Sequence, residues 1–333
     1  MAIATGFLFA CTAPTRIVVR EGNNNRPRQQ PQPPVEQYNP QPAQPPVQEE
    51  TTYQVFYDEL SPYGNWVDYP GYGYVWSPNV QDDFQPYSTN GHWVYSEGSW
   101  TWVSNYQWGW AAFHYGRWFY EDRYGWLWIP GNEWAPAWVT WGQSGDYYGW
   151  AALGPKVRAN DRWTPPSNNW NFVPRRQVNN SNVNQYVVSK TNNTTIVKNV
   201  TVINNVNTVT NNNNTTVVNN NSNNTTVNNN NTTVNNNKTV NKNKTVNNNI
   251  NVRGNNNVVY NKGPQVNEVE QVTNTKVEQV DVNDDNKPGQ AKVKNRKLVI
   301  YRPVLKDDAQ ATKKPAPKNV GQLKARVRNP ANN

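Results

Sequence analysis

A short pattern, Gly-x-Trp followed by a second Trp-bearing run, recurs along one stretch of this chain and limits what the stretch can fold into. The first copy is Tyr63-Gly64-Asn65-Trp66-Val67, then Gly73-Tyr74-Val75-Trp76-Ser77-Pro78. The second is Asn90-Gly91-His92-Trp93-Val94-Tyr95, then Ser99-Trp100-Thr101-Trp102-Val103-Ser104. The third is Tyr115-Gly116-Arg117-Trp118-Phe119-Tyr120, then Gly125-Trp126-Leu127-Trp128-Ile129-Pro130. The leading glycine recurs after 27 and then 25 residues. Partial copies, Gly109-Trp110-Ala111 and Gly149-Trp150-Ala151, lie between and after.

Aromatic and β-branched residues favour strands. Trp100 and Trp102, like Trp126 and Trp128, are two apart and therefore share a strand face. Glu121-Asp122-Arg123-Tyr124-Gly125 reads as a polar turn with glycine where a positive φ is needed. Pro78 and Pro130 end the return strands, since proline cannot donate to a ladder. Each copy is then a hairpin, and three or more must pack together to be stable. The expected fold is all-β: a small antiparallel domain of repeated Gly/Tyr/Trp hairpins over residues 51–160, flanked by disordered Pro-rich and Asn-rich segments.

All 16 Trp lie between Trp66 and Trp170. With few Leu and Ile to compete, most of these indoles are expected in the core. The competing use is an exposed subset forming a glycan or peptide groove. Glu133-Trp134-Ala135-Pro136-Ala137-Trp138-Val139-Thr140-Trp141 breaks the hairpin pattern. It makes Glu133, Trp134, Trp138 and Trp141 the candidate ligand-binding residues.

Tyr57-Asp58-Glu59-Leu60-Ser61-Pro62-Tyr63-Gly64-Asn65-Trp66, Trp108-Gly109-Trp110, His114-Tyr115-Gly116-Arg117-Trp118 and Glu133-Trp134-Ala135-Pro136-Ala137-Trp138 carry a further signal. Together they resemble a bacterial Trp-rich domain of unknown function found in exported proteins, sometimes beside FecR-type domains. The resemblance covers about a third of the chain. It implies an extracytoplasmic location and carries no catalytic residue.

The N-terminus is read separately. The apolar run ending Leu8-Phe9-Ala10-Cys11 resembles the lipobox of bacterial lipoproteins, whose cysteine becomes the lipidated first residue. Thr12 does not resemble an inner-membrane retention signal. A secretory signal carries a positive segment ahead of its apolar run, and none precedes this one. Either the true start lies upstream of Met1 or this is an ordinary N-terminus with a chance cysteine. The lipoprotein reading makes residues 1–22 a signal and mature N-terminus. Residues 23–50, rich in Pro and Gln, become a semi-rigid spacer. The expected location is the bacterial envelope, on an outer-membrane anchor facing periplasm or exterior.

Charge divides the chain. Residues 51–155 hold ten acids and two bases, 2 − 10 = −8, whereas residues 177–262 hold seven bases and no acid. Dispersed basic residues of this kind keep an Asn-rich tract soluble, and no specific nucleic-acid partner is expected. Residues 161–262 read as linker and Asn/Thr/Val-rich low-complexity segment, expected to be disordered or to form weak, irregular strands. A solenoid with stacked Asn is the competing reading. Residues 263–310 read as a small helix-and-strand module: a helix near Pro264 with Val266, Val269 and Val272 in step, then strands at Lys276–Val282 and Lys297–Pro303. Residues 311–333 read as a basic disordered tail.

Enzyme chemistry finds little support. Cys11 is the lone cysteine, and His92 and His114 are the only histidines. His92 shares its repeat position with Asn65 and Arg117, which reads as a solvent-facing strand site. No phosphate loop or zinc-protease motif occurs, and no spacing brings two carboxylates together for glycoside hydrolysis. The expectation is a non-enzymatic module without a cofactor. Its partners would be the membrane through Cys11, and cell-wall glycan or envelope proteins.

Overall fold

The computed structural model describes residues 52–212, 257–305 and 315–326, with three further strands between 215 and 233 described as backbone. Residue contacts divide the chain into Met1–Val47 and Gln48–Asn333, and all described residues lie in the second unit. Cys11 and the Pro-rich spacer lie outside the described residues.

The described chain is β-rich. A helix, α1 (Gln54–Leu60), leads into β1 (Gly64–Tyr69) and β2 (Gly73–Pro78). Next come β3 (Gly91–Ser96), β4 (Ser99–Ser104), a helical turn α2 (Gly109–Ala112), β5 (Arg117–Glu121) and β6 (Gly125–Ile129). Then follow β7 (Val139–Ser144), β8 (Tyr147–Ala152), β9 (Trp170–Pro174), α3 (Lys190–Val197) and β10 (Thr201–Ile203). The Asn-rich stretch holds β11 (Val206–Asn212), β12 (Thr215–Asn220), β13 (Asn223–Asn228) and β14 (Thr232–Thr233). The chain continues with β15 (Asn257–Asn261), α4 (Val266–Thr273), β16 (Gln279–Asp285), β17 (Lys292–Lys294), β18 (Lys297–Tyr301) and β19 (Lys318–Asn319).

Four sheets result, in the orders β19-β1-β2-β6-β5, β17-β18-β16-β3-β4, β10-β7-β8-β9 and β14-β13-β12-β11-β15. In the first, one row of indoles runs across four strands. Trp66 opposes Trp76, Trp76 opposes Trp128, and Trp128 opposes Trp118. Trp93 opposes Trp102 in the second sheet, and Trp141 opposes Trp150 in the third. Trp93 then bridges these two sheets, 4.6 Å from Trp141 and 5.4 Å from Trp150 between ring centroids. Directly opposed side chains are the strongest cross-strand contacts, so these pairs set the register of five strand pairs, four of them hairpins.

The glycines of Gly-x-Trp have a matching steric reason. A Cβ on Gly64 would sit 2.5 Å from Nε1 of Trp76, and one on Gly91 would sit 2.5 Å from Cζ2 of Trp102. In each case the partner strand's indole lies over the bare backbone. Buried indole N–H groups then find carbonyls. Trp76 donates to Leu60 at 3.1 Å, Trp118 to Ala112 at 2.7 Å, Trp128 to Tyr115 at 2.8 Å and Trp150 to Tyr87 at 2.7 Å.

Several expectations change. Gly109-Trp110-Ala111 and Gly149-Trp150-Ala151, alike in sequence, form a helical turn and part of β8 respectively. The tripeptide is too short to decide its own state. β9 extends the third sheet beyond residue 160, pairing Trp170 with Ala151 and Phe172 with Gly149. The described part of the Asn-rich segment, expected to be disordered or to form weak, irregular strands, forms antiparallel ladders over β11–β14, with β11 also pairing β15, and residues 234–256 lie outside the described residues. Its Thr and Val content favours extended backbone. Of the tail expected to be disordered, residues 315–326 are described, and they add β19 in parallel to the edge of β1 and continue into a 3₁₀ turn at Val320–Gln322.

The segment after residue 257 is fastened to the indole core. The Trp100 amide donates to Lys262 O at 3.0 Å, and its indole to Pro264 O at 3.0 Å. β16 pairs in parallel with β3 on one side and with β18 on the other. Tyr115 donates its hydroxyl to Pro303 O at 2.7 Å. Among the described residues, no helix is long and apolar enough to cross a membrane.

Candidate functional site

The stretch singled out by the sequence, Glu133 to Trp141, leaves β6 and enters β7. The structure does not expose its indoles. Trp134 retains 9% of its exposure, Trp138 1% and Trp141 none. Fifteen of the sixteen Trp are buried and Trp163 is half-buried, the core use expected of most of these indoles. The reason is compositional. The core has few Leu and Ile, and the indoles fill it.

Trp141 belongs to β7 and completes the fourth hairpin, opposite Trp150. Trp134 and Trp138 instead converge on His114. The His114 carbonyl accepts from the Ala135 amide at 3.0 Å and from the Trp138 indole at 2.9 Å. Because the Ala135 carbonyl can only accept, Nδ1 of His114 carries the proton in their 2.9 Å bond. The Trp134 ring stacks on the imidazole, 5.4 Å between centroids and 8° from parallel.

Each of these two indoles is capped by an arginine. Arg117 lies 3.6 Å from the centroid of Trp138, and Arg302 lies 4.9 Å from that of Trp134. Glu133 supplies a favourable charge near Arg117. Arg302 is itself held by Glu97 at 3.4 Å and by Asp284 through its Nε. Glu97 sits in the two-residue turn between β3 and β4, with φ of 47° at Glu97 and 79° at Gly98. A left-handed Glu is costly by about 1–2 kcal/mol. The charge pair with Arg302 accompanies that strained backbone. Burial pushes the Glu97 carboxyl up, and Arg302 pulls it back down.

The cluster joins five parts of the chain: the β3–β4 turn, the entry to β5 with His114 and Arg117, the Glu133–Trp141 stretch, β16 and the end of β18. Its chemistry is that of an interlock. His114 has no exposed surface, and burial drives its imidazole down to about 4, with the Ala135 hydrogen bond opposing. It is therefore neutral at pH 7 and enclosed. Its folded-state value lies below the ordinary 6.5, so the folded chain binds fewer protons than the unfolded chain between pH 6.5 and 4. Stability from this group is complete above 6.5 and is lost as pH falls toward 4. The loss corresponds to about 3 kcal/mol. Urea denaturation at pH 7 and pH 4.5 should show this loss in the wild type, with a smaller loss in His114→Asn. Equal losses in both would remove His114 from the account.

Asn65, His92 and Arg117, expected to face solvent, are all half-buried. Asn65 accepts from Lys318, and Arg117 caps Trp138. Sequence reading missed Arg302 and Asp284, which fall outside any repeat, and Glu97, which sits in the turn of the second copy; none carries a local signal. It also missed Lys190 at the start of α3. Its buried ammonium donates to Trp170 O at 2.6 Å and Asn171 Oδ1 at 2.9 Å, and burial drives it down to about 7. Among the described residues, no group of three His, Cys, Asp or Glu is placed to hold a metal ion.

Residues 57–157 match a family of unknown function, DUF6600. No curated protein and no solved structure matches the chain.

Proposed function

We propose that this protein is a non-enzymatic lipoprotein of the bacterial cell envelope, tethered through Cys11 and acting as a structural or interaction module. In this reading the Pro-rich spacer holds a rigid β-rich head off an outer membrane, facing periplasm or exterior. The lipobox-like run before Cys11 supports the anchor. The observation that carries the rest is the use of the aromatic side chains: fifteen indoles are spent on the core. The polar groups gathered around Trp134 and Trp138 hold distant parts of the chain to one another.

Two measurements test the reading. Cys11→Ala, expressed from the native gene, should move the protein from the membrane fraction to the soluble fraction. Unchanged partitioning would sink the anchor. Trp emission of the full chain should be unmoved by soluble cell-wall fragments and oligosaccharides. A saturable shift would restore the alternative, a glycan- or peptidoglycan-binding module.

A further inference from the structure

The first sheet has two apolar faces. One carries the indole row. The other carries Val67, Val75 and Leu127, all with no exposed surface, ringed by Tyr69, Phe119 and Ile129. Among the described residues, no side chain of a second sheet belongs to this apolar cluster. Val320 and Leu323 of the C-terminal segment do.

The segment Pro315–Arg326 is seated along its whole length. Tyr74 donates to Pro315 O at 3.1 Å. Lys318 and Asn319 pair in parallel with Val67 and Asp68 on the open edge of β1, and the Lys318 ammonium reaches Asn65 Oδ1 at 2.6 Å. Asn319 and Gln322 cap the following turn reciprocally. Arg326 ends the seat. Its amide donates to Arg123 O at 2.9 Å, its guanidinium donates to Pro78 O and Gln81 O, and Asp82 adds a favourable charge. Gly125 leaves room for it, since a Cβ there would stand 3.0 Å from Arg326 Cδ.

This is β-strand addition with side-chain anchors, the mode by which sheet edges take up extended peptides. The anchors are Val320 and Leu323, three apart, and Arg326, three further on. The segment carries three basic residues and no acid, and the head it sits on has a net charge of −8 over residues 51–155. Charge complementarity of this kind favours the pairing and speeds encounter.

We propose that the β1 edge and the Val67–Val75–Leu127 face form a docking groove for this segment, and that a second copy of the chain supplies it in trans. Apart from the Asn319–Gln322 cap, which travels with the segment, the contacts described run between the segment and the head, so a segment from another copy can make the same bonds. Exchange of an identical element is a low-cost route to association. A membrane tether, as in the proposed function, would raise the local concentration, but the groove does not depend on it.

The test uses full-length chains carrying Cys11→Ser, so that each introduced thiol is the only one. Asp68 and Asn319 are exposed partners in the parallel register. Asp68→Cys and Asn319→Cys chains, mixed at 100 μM under a glutathione redox buffer, should form a disulfide-linked heterodimer. Its yield should rise with concentration and fall in 1 M NaCl. Quantitative internal cross-linking of the double variant, with no heterodimer from the mixture, would overturn exchange. Failure of both to cross-link would overturn the groove. A second measurement avoids cysteines. A fluorescent peptide of residues 315–326 should bind full-length Val320→Asp/Leu323→Asp at least tenfold more tightly than wild type, in which intact segments already occupy the groove. Equal affinity for the two proteins, or none for either, would refute the proposal.

Discussion

Gly116→Ala is expected to prevent the Trp-rich head from folding. Gly116 has φ +65°, and a Cβ there would stand 2.0 Å from Ile129 O and 3.0 Å from the Gly131 amide nitrogen. Both neighbours are backbone, which no side-chain rotation can clear. Gly131 is constrained in return, since its own Cβ would meet Gly116 Cα at 2.8 Å. Two chain segments therefore touch through bare backbone just where Tyr115 and Trp128 exchange a hydrogen bond. The expected cost exceeds about 4 kcal/mol, the range in which single changes unfold small domains. Gly98→Ala is the control. It also has a positive φ, +79°, but no atom lies within 4 Å of its Cβ, so only the left-handed penalty of about 1–2 kcal/mol applies. Urea denaturation followed by Trp emission should show a cooperative transition for Gly98→Ala and a red-shifted, unfolded spectrum in buffer for Gly116→Ala. Equal midpoints would mean the close approach is not maintained.

The second large effect is expected at Trp93. Its ring touches Trp102 at 5.1 Å, Trp141 at 4.6 Å and Trp150 at 5.4 Å, and stacks on Tyr87 at 6.3 Å. It thus joins the second and third sheets. Trp93→Ala should destabilise by about 3–5 kcal/mol, since the rigid rings around it cannot collapse into the space. Trp163→Ala, at a half-buried site in a loop, should cost under about 1 kcal/mol. Comparable losses at the two positions would show that the indole cluster is not the main source of stability.

What sequence could show followed the range of the interactions. Opposed indoles such as Trp66 and Trp76 are ten positions apart and joined by a turn, so glycine and aromatic spacing displays them. The fourth pair, Trp141 and Trp150, has the same separation as Trp93 and Trp102, but Val139-Thr140 stands where the other copies have Gly-x. The stretch therefore read as a departure and was assigned to a groove. Its burial is not legible there, because alternation shows which residues share a face, not what covers that face. Arg302 and Glu97 meet across 205 residues, and β16 joins β3 in parallel. Neither leaves a local trace. The strap over Val67 was invisible for the same reason: Val320 and Leu323 are two apolar residues in a basic run, and their value depends on a surface laid down far upstream.

The Tyr115–Pro303 bond spans 188 residues, and this has a consequence for biosynthesis. At about 5–20 residues per second, roughly 10–40 s separate the emergence of the two partners. Throughout that interval β3 lacks its parallel neighbour, Trp134 lacks its arginine and Val67 lies bare. Contacts between residues so far apart in the chain also slow folding. The nascent head is thus a late-closing structure, sticky until its last fifty residues arrive. On the proposed export route this delay is useful, because a chain that cannot close early remains threadable through a membrane channel. The same delay makes a truncated product the most aggregation-prone form of the protein.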